Sequence, residues 1–202
     1  MSAGPLLAPI LGPILGLLGI SLSWLGAGLF VLSDGRRGIA AGIFIAAVGL
    51  GLTQEADQRP LAGLIVTAGG VLGALAALGG EDRPGWGVLP AGSTSRIVLS
   101  VVLGAAALWL GSGLLTVPGG WQVRAAASIV MALAGARALV GTQISVAMGA
   151  ASLVVLAAGG VAGHGGGGLE AGLLASAGAV VLNLLPRAFR AERAADRGMS
   201  DG

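Results

Sequence analysis

The sequence predicts an all-α fold, a polytopic transmembrane helix bundle of about seven spans, and two observations carry that reading. Of 202 residues, 55% are hydrophobic and only 10% are charged, with a mean hydropathy of +0.92. A soluble domain carries about 25% charged residues, so this chain has too little polar surface to coat a globule of its size. The apolar residues also fall into uncharged stretches near the ~20 residues of helix that a ~30 Å bilayer core demands. Short polar breaks divide them.

Other classes fall on the same composition. The 39 glycines have no three-residue period, the net charge is +2, and Cys is absent, which excludes collagen-like, disordered and disulfide-scaffold chains. Without Cys there is no thiolate catalysis and no Cys-ligated metal. The high pI of 11.0 is a small excess of Arg. The chain has no Lys, Tyr or Cys, so almost nothing titrates between about pH 8 and about pH 12.5. With no aromatic and basic residues interleaved, nucleic acid is not an expected partner.

In chain order the expected spans are Ile10–Leu32, Gly38–Thr53, Leu61–Gly80, Ile97–Val117, Ala125–Gly141, Ile144–Ala162 and Leu169–Leu185. Pro5, Pro9 and Pro13 predict that the first helix starts late or irregularly. The second is the shortest, and the fifth is interrupted by Arg137, so six spans is the alternative count. The breaks read SDGRRG, QEADQRP, EDRPGWGVLPAGSTSR, PGGWQVR, TQ and GHGGGGLE. None is long enough for a soluble domain, so residues 1–185 are expected to form one transmembrane domain, followed by an Arg-rich tail at 186–202.

Orientation follows from the arginines, because cytoplasmic loops are enriched in them. With seven spans, nine of the eleven lie on one side and only Arg59 and Arg124 on the other. That predicts an outside N-terminus and a cytoplasmic C-terminus in a plasma (inner) membrane. The N-terminal stretch has no basic region and too long an apolar run for a cleaved secretory signal.

Small residues four apart recur as Gly12/Gly16, Gly38/Gly42, Gly69/Gly73, Gly159/Gly163, Gly168/Gly172 and Ala175/Ala179. In a membrane this spacing lets two helix backbones approach closely, which predicts a tight bundle; a narrow substrate path lined by glycine is the alternative. Trp24–Leu29 (WLGAGL) and Trp109–Leu114 (WLGSGL) match at five of six positions. Thr53-Gln54 then matches Thr142-Gln143, and Ala68-Gly69-Gly70 matches Ala158-Gly159-Gly160. These pairs predict a duplication with halves at 10–80 and 97–162 and an extra span at 169–185. Three helices per half would make the repeat inverted, an architecture recurrent among transporters.

The stretches WLGAGLFVLSDGRRGIAAGIFIAAVGLGL, WLGSGLLTVPGGWQVRAAASIVMALAGARAL and LAAGGVAGHGGGGLEAGLLASAGAVVL resemble the HdeD-like short-repeat membrane proteins, whose unit is a Gly-rich helical hairpin. The resemblance covers about half the chain, and the span Leu61–Gly80 departs from it. It implies a small bacterial inner-membrane protein without an established catalytic site.

Polar residues inside spans are costly and therefore functional candidates. Arg137 lies five residues before Thr142, so its expected role is to snorkel to the cytoplasmic interface, with an ion pair as the alternative. Glu170, in the first turn of the seventh span, suits a helix N-terminus, with proton handling as the alternative. Asn183 and Gln143 read as anchors near helix ends. His164 is the single histidine, so neither a structural zinc site nor bis-His haem ligation within the chain is expected. No cofactor is implied.

The run GHGGGGLEAGLLASAG is similar to the histidine helix of rhomboid intramembrane proteases, which implies His164 as base and Ser112, within GSG, as nucleophile. Three departures weigh against a protease. Leu110 stands where the family has Gly, Ser112 falls near the end of a span rather than opening a helix, and the WLGAGL copy has Ala27 at the serine position. The same run is also similar to a Gly-rich turn of cation/proton antiporter accessory subunits, without that turn's Pro and Phe.

In the tail, Arg187, Arg190, Arg193 and Arg197 share one side of a helix that Pro186 would open. At about 1 kcal/mol per Arg near an anionic leaflet, they predict contact with anionic lipid headgroups. The function expected is that of a non-enzymatic membrane protein acting by association, as an accessory or scaffold subunit of a membrane complex or as a homo-oligomer. A small transporter or channel is the alternative, and an intramembrane protease the remote one.

Overall fold

The structure is a computed structural model that describes residues 4–79, 97–98, 101–107, 120–140, 144–163 and 168–200. It is all-α. The helices are α1 (Gly4–Leu32), α2 (Arg36–Ala56), α3 (Pro60–Leu78), the described part of α4 (101–107), α5 (Trp121–Val140), α6 (Ile144–Ala162) and α7 (Gly168–Ser200). By length and composition α1 from Leu11, α2 and α3 are each long and apolar enough to cross a membrane; Val146–Ala162 and Leu169–Leu185 are shorter apolar helices.

Helix α1 starts at Gly4 and runs through Pro9 and Pro13, which corrects the expected late start. The three prolines recur every four residues, so the missing N–H bonds fall along one stripe and the rest of the ladder continues. Helix α7 likewise runs unbroken through Pro186, so that proline does not open a separate tail helix. Helix α2 closes with a Schellman motif: Arg59 N–H donates to Gln54 O at 3.0 Å and Gln58 N–H to Glu55 O at 2.9 Å. The motif places Gln58 at φ 60°, a left-handed conformation that costs a residue with a Cβ about 1 kcal/mol or more. Gln58→Gly is therefore expected to stabilise the protein by about 1 kcal/mol, read as a higher midpoint in thermal unfolding. Pro60 then opens α3 in its first turn, where no intrahelical N–H bond is lost.

The helices form two layers of three. Helices α1, α2 and α3 lie side by side in one and α5, α6 and α7 in the other; α1 packs on α5, α3 on α7, and α2 lies over α5 and α6. Gln54 meets Gly160, Ile39 meets Gly149, and Ile65 and Gly73 meet Gly172 and Asn183, so the stacked helices run in the same direction. That grouping makes α7 a full member of the second layer. On α4, Gly104 lies against the indole of Trp24.

Glycine sets the spacing inside the first layer. On α1, Gly19, Ser23, Gly26 and Phe30 face Thr53, Gly49, Ala46 and Gly42 of α2, spaced four, three and four residues apart as antiparallel helices at close range require. A Cβ on Gly42 would stand 2.7 Å from Phe30 N, and one on Gly49 would stand 2.6 Å from Gly19 O. Across the α2–α3 seam a Cβ on Gly63 would stand 2.7 Å from Gly51 O. At such distances backbone meets backbone, and dispersion between main chains replaces the side-chain core of a soluble bundle.

The shortest expected span and the one interrupted by Arg137 turn out to be well enclosed helices. Helix α2 buries residues along most of its length, and Val123, Ala125, Ala126, Ala127, Ile129, Val130, Leu133 and Ala134 of α5 are fully buried. A helix surrounded by helices does not need the apolar surface that lipid demands, so its sequence is rich in small residues and tolerates Gln and Arg.

Candidate functional site

Two polar clusters occupy opposite ends of the bundle. At the first, the last turn of α5 brings Arg137 against the α1–α2 turn. Its Nη2 donates to the carbonyl oxygen of Ser33 at 3.3 Å and to Oδ1 of Asp34, with which it forms an ion pair. Arg137 is 6% exposed and Asp34 20%. This corrects the expectation of a snorkelling arginine: the guanidinium turns into the protein and ties the second layer to the first. The cation also sits at a helix C-terminus, where the backbone dipole favours it. Nε of Arg137 and Oγ of Ser33 are buried without a hydrogen-bond partner among the described residues, so this cluster retains unused hydrogen-bonding capacity.

At the second end, Gln54 is 2% exposed and its Nε2 donates to the carbonyl oxygen of Gly160 at 3.0 Å. The Arg59 guanidinium donates to the carbonyl oxygen of Gly163, and buried Gln122 packs on Gly16. The last turn of α6 thus receives two side chains from the first layer, which satisfy carbonyls that a helix end leaves open. Gly120 enters α5 at φ 71°, a left-handed conformation open to glycine, and its carbonyl accepts the Arg124 N–H at 3.1 Å.

Sequence reasoning missed Asp34, Gln54 and Arg59 as partners, because each reads as part of a polar break. The sequence matches pair Gln54 with Gln143 and Gly160 with Gly70, so they gave no signal for the Gln54–Gly160 bond. Glu170 is exposed in the first turn of α7. Asn183 is buried rather than an end anchor: its Nδ2 donates to Ala179 O at 2.9 Å, and it lies against Gly73 of α3. Ser112, His164 and Gln143 lie outside the described residues. So do the side chains of Arg187, Arg190, Arg193 and Arg197, whose backbone belongs to α7.

Other polar side chains bond helix carbonyls, which limits the cost of burying them. Thr53 and Ser152 donate within their own helices, both at 2.7 Å, and Ser176 of α7 donates across to Ile65 O of α3 at 2.9 Å. Among the described residues no three His, Cys, Asp or Glu side chains group as metal ligands. Fold and polar clusters together define a class: a close-packed, apolar, all-α bundle of the membrane-embedded kind, its layers tied at both ends by buried polar side chains. No family model matches the chain, and no curated protein or solved structure matches it.

Proposed function

We propose that this protein is a multi-pass membrane protein that acts by association, as an accessory or scaffold subunit of a larger membrane complex or as a homo-oligomer. One observation carries the reading: four polar side chains are bonded across from one layer of helices to the other. Arg137 is bound to Asp34, Gln54 to Gly160, Arg59 to Gly163 and Ser176 to Ile65. The outer faces support it too. Leu11, Ile14, Leu17 and Leu25 of α1 and Leu61, Leu64 and Leu72 of α3 are exposed, an apolar surface suited to lipid or to other membrane helices.

The proposed orientation puts Arg36, Arg37, Arg137 and the Arg187–Arg197 end of α7 in the cytoplasm of a bacterial inner membrane. There the tail would lie on anionic headgroups. The test is the native mass of the protein extracted in a gentle detergent or polymer belt. Stoichiometric foreign subunits, or a mass of two or more copies of the 19.4 kDa chain, are expected; a lone monomer would overturn the proposal.

A small transporter or channel is the second reading. The inverted repeat expected for it is not the relation between the two layers, whose stacked helices run in the same direction. What favours this reading is the cluster between the layers at Arg137, with two buried atoms, Arg137 Nε and Ser33 Oγ, that have no partner among the described residues. Charge-removing substitutions at Arg137 and Glu170 that leave transport phenotypes intact in folded protein would take away its ionisable candidates. The protease reading stands on Ser112 and His164 and ends if Ser112→Ala leaves cleavage of a transmembrane substrate unchanged.

A further inference from the structure

Helices α2 and α3 enclose an open groove of about 550 Å³ on the face turned away from the second layer, lined by Arg37, Ala40, Ala41, Phe44, Val71, Ala74, Leu75 and Leu78. Buried Ala40 and Ala74 form its floor, and Phe44, Leu75 and Leu78 form walls that are 45%, 58% and 40% exposed. Arg37 and Phe44 are seven residues apart on α2, as are Val71 and Leu78 on α3, so the trough is about 10 Å long. Arg37 and Leu78 lie at one end, with Phe44 and Val71 at the other.

We infer that this groove holds one acyl chain of an anionic phospholipid whose phosphate sits on Arg37. Three observations converge on that occupant. Arg37 is exposed and is the one charged side chain of the lining, so the trough is apolar along its length and cationic at one end. That is the charge and polarity profile of an anionic lipid in reverse.

The same end is the N-terminus of α2, whose cap residue Gly35 supplies no side-chain hydrogen bond. The backbone dipole of α2 adds to the positive potential of Arg37 at that end. The nearby carboxylate, Asp34, is already engaged by Arg137. Finally, the walls belong to two helices long and apolar enough to cross a membrane, so hydrocarbon is the medium the trough would open into.

The test uses the full chain in vesicles of phosphatidylglycerol and phosphatidylcholine, with a benzophenone-bearing phenylalanine in place of Phe44. Irradiation is expected to add the mass of phosphatidylglycerol in preference to phosphatidylcholine. Arg37→Gln, an exposed substitution, should lower that preference about fivefold, the factor that corresponds to about 1 kcal/mol per Arg at the surface. Ala41→Phe, which fills the trough without touching the charge, should abolish capture, while Gln at positions 187, 190, 193 and 197 together should leave it in place. Cross-links to a second copy of the chain or to another protein, or capture indifferent to headgroup and to Arg37→Gln, would overturn the inference. The Arg37→Gln comparison stands alone if Ala41→Phe does not fold.

Discussion

Gly26→Ala is expected to lower the stability of the bundle by about 3 kcal/mol or more, the upper end of what overpacking costs. Gly28→Ala, two residues along the same helix, should change it by less than about 1 kcal/mol. A Cβ on Gly26 would stand 2.7 Å from the Cα of Ala46 and 2.8 Å from the carbonyl oxygen of Gly42, whereas one on Gly28 meets nothing within 4 Å. Non-bonded atoms sit at about 3.5–4.0 Å, and both obstacles at Gly26 are backbone that cannot rotate away. Helices α1 and α2 must separate by about 1 Å, and the neighbouring Gly19–Gly49 and Phe30–Gly42 contacts loosen with them. Thermal unfolding of the two variants in one detergent reads the difference directly. Equal midpoints would mean that the seam is not the close crossing described.

Removing Asp34 is expected to be more harmful than removing its partner. Asp34→Ala leaves Arg137, 6% exposed, as a buried cation without a counter-charge, which costs about 3–5 kcal/mol. Arg137→Met leaves a carboxylate that is 20% exposed and able to hydrate, and the thioether chain fills the space the guanidinium stem occupied. Its cost should be about 1–2 kcal/mol, that of a lost charge-assisted hydrogen bond.

The double variant should lose less than the sum of the two single losses, because both substitutions remove one shared contact. Four unfolding curves, for the parent, the two single variants and the double, give the coupling. Additive losses would show that the pair does not hold α5 to the α1–α2 turn, and the layer tie would have to be assigned elsewhere.

How much of this was legible without coordinates varies by element. Helical class and the membrane-compatible character of α1, α2 and α3 follow from residue counts and stretch lengths, because lipid imposes a length and a composition. Small residues four apart announced close packing, and one of them, Gly42, does lie in the tight α1–α2 crossing. Yet Gly26 and Gly49, which share that crossing, belong to none of the spacings that stood out. A Gly-rich helix offers many equivalent stripes, and only the partner's position selects one. The weak look of Gly38–Thr53 and Ala125–Gly141 was itself informative, since these segments became the enclosed α2 and α5. Reduced hydropathy marked a helix shielded by its neighbours.

The polar residues divide on the same physical line. Sequence alone determined that Arg137 is an expensive residue near a helix end and that Glu170 opens a helix, because both statements depend on position within one segment. That Arg137 turns inward to Asp34, that Gln54 reaches Gly160, and that Asn183 lies against Gly73 were decided by the stacking of two layers in the same direction. Partners about one hundred residues apart in the chain meet only once that stacking exists. Hydropathy acts residue by residue and survives in the sequence, whereas hydrogen bonds and ion pairs between helices depend on register, which only the packed structure holds.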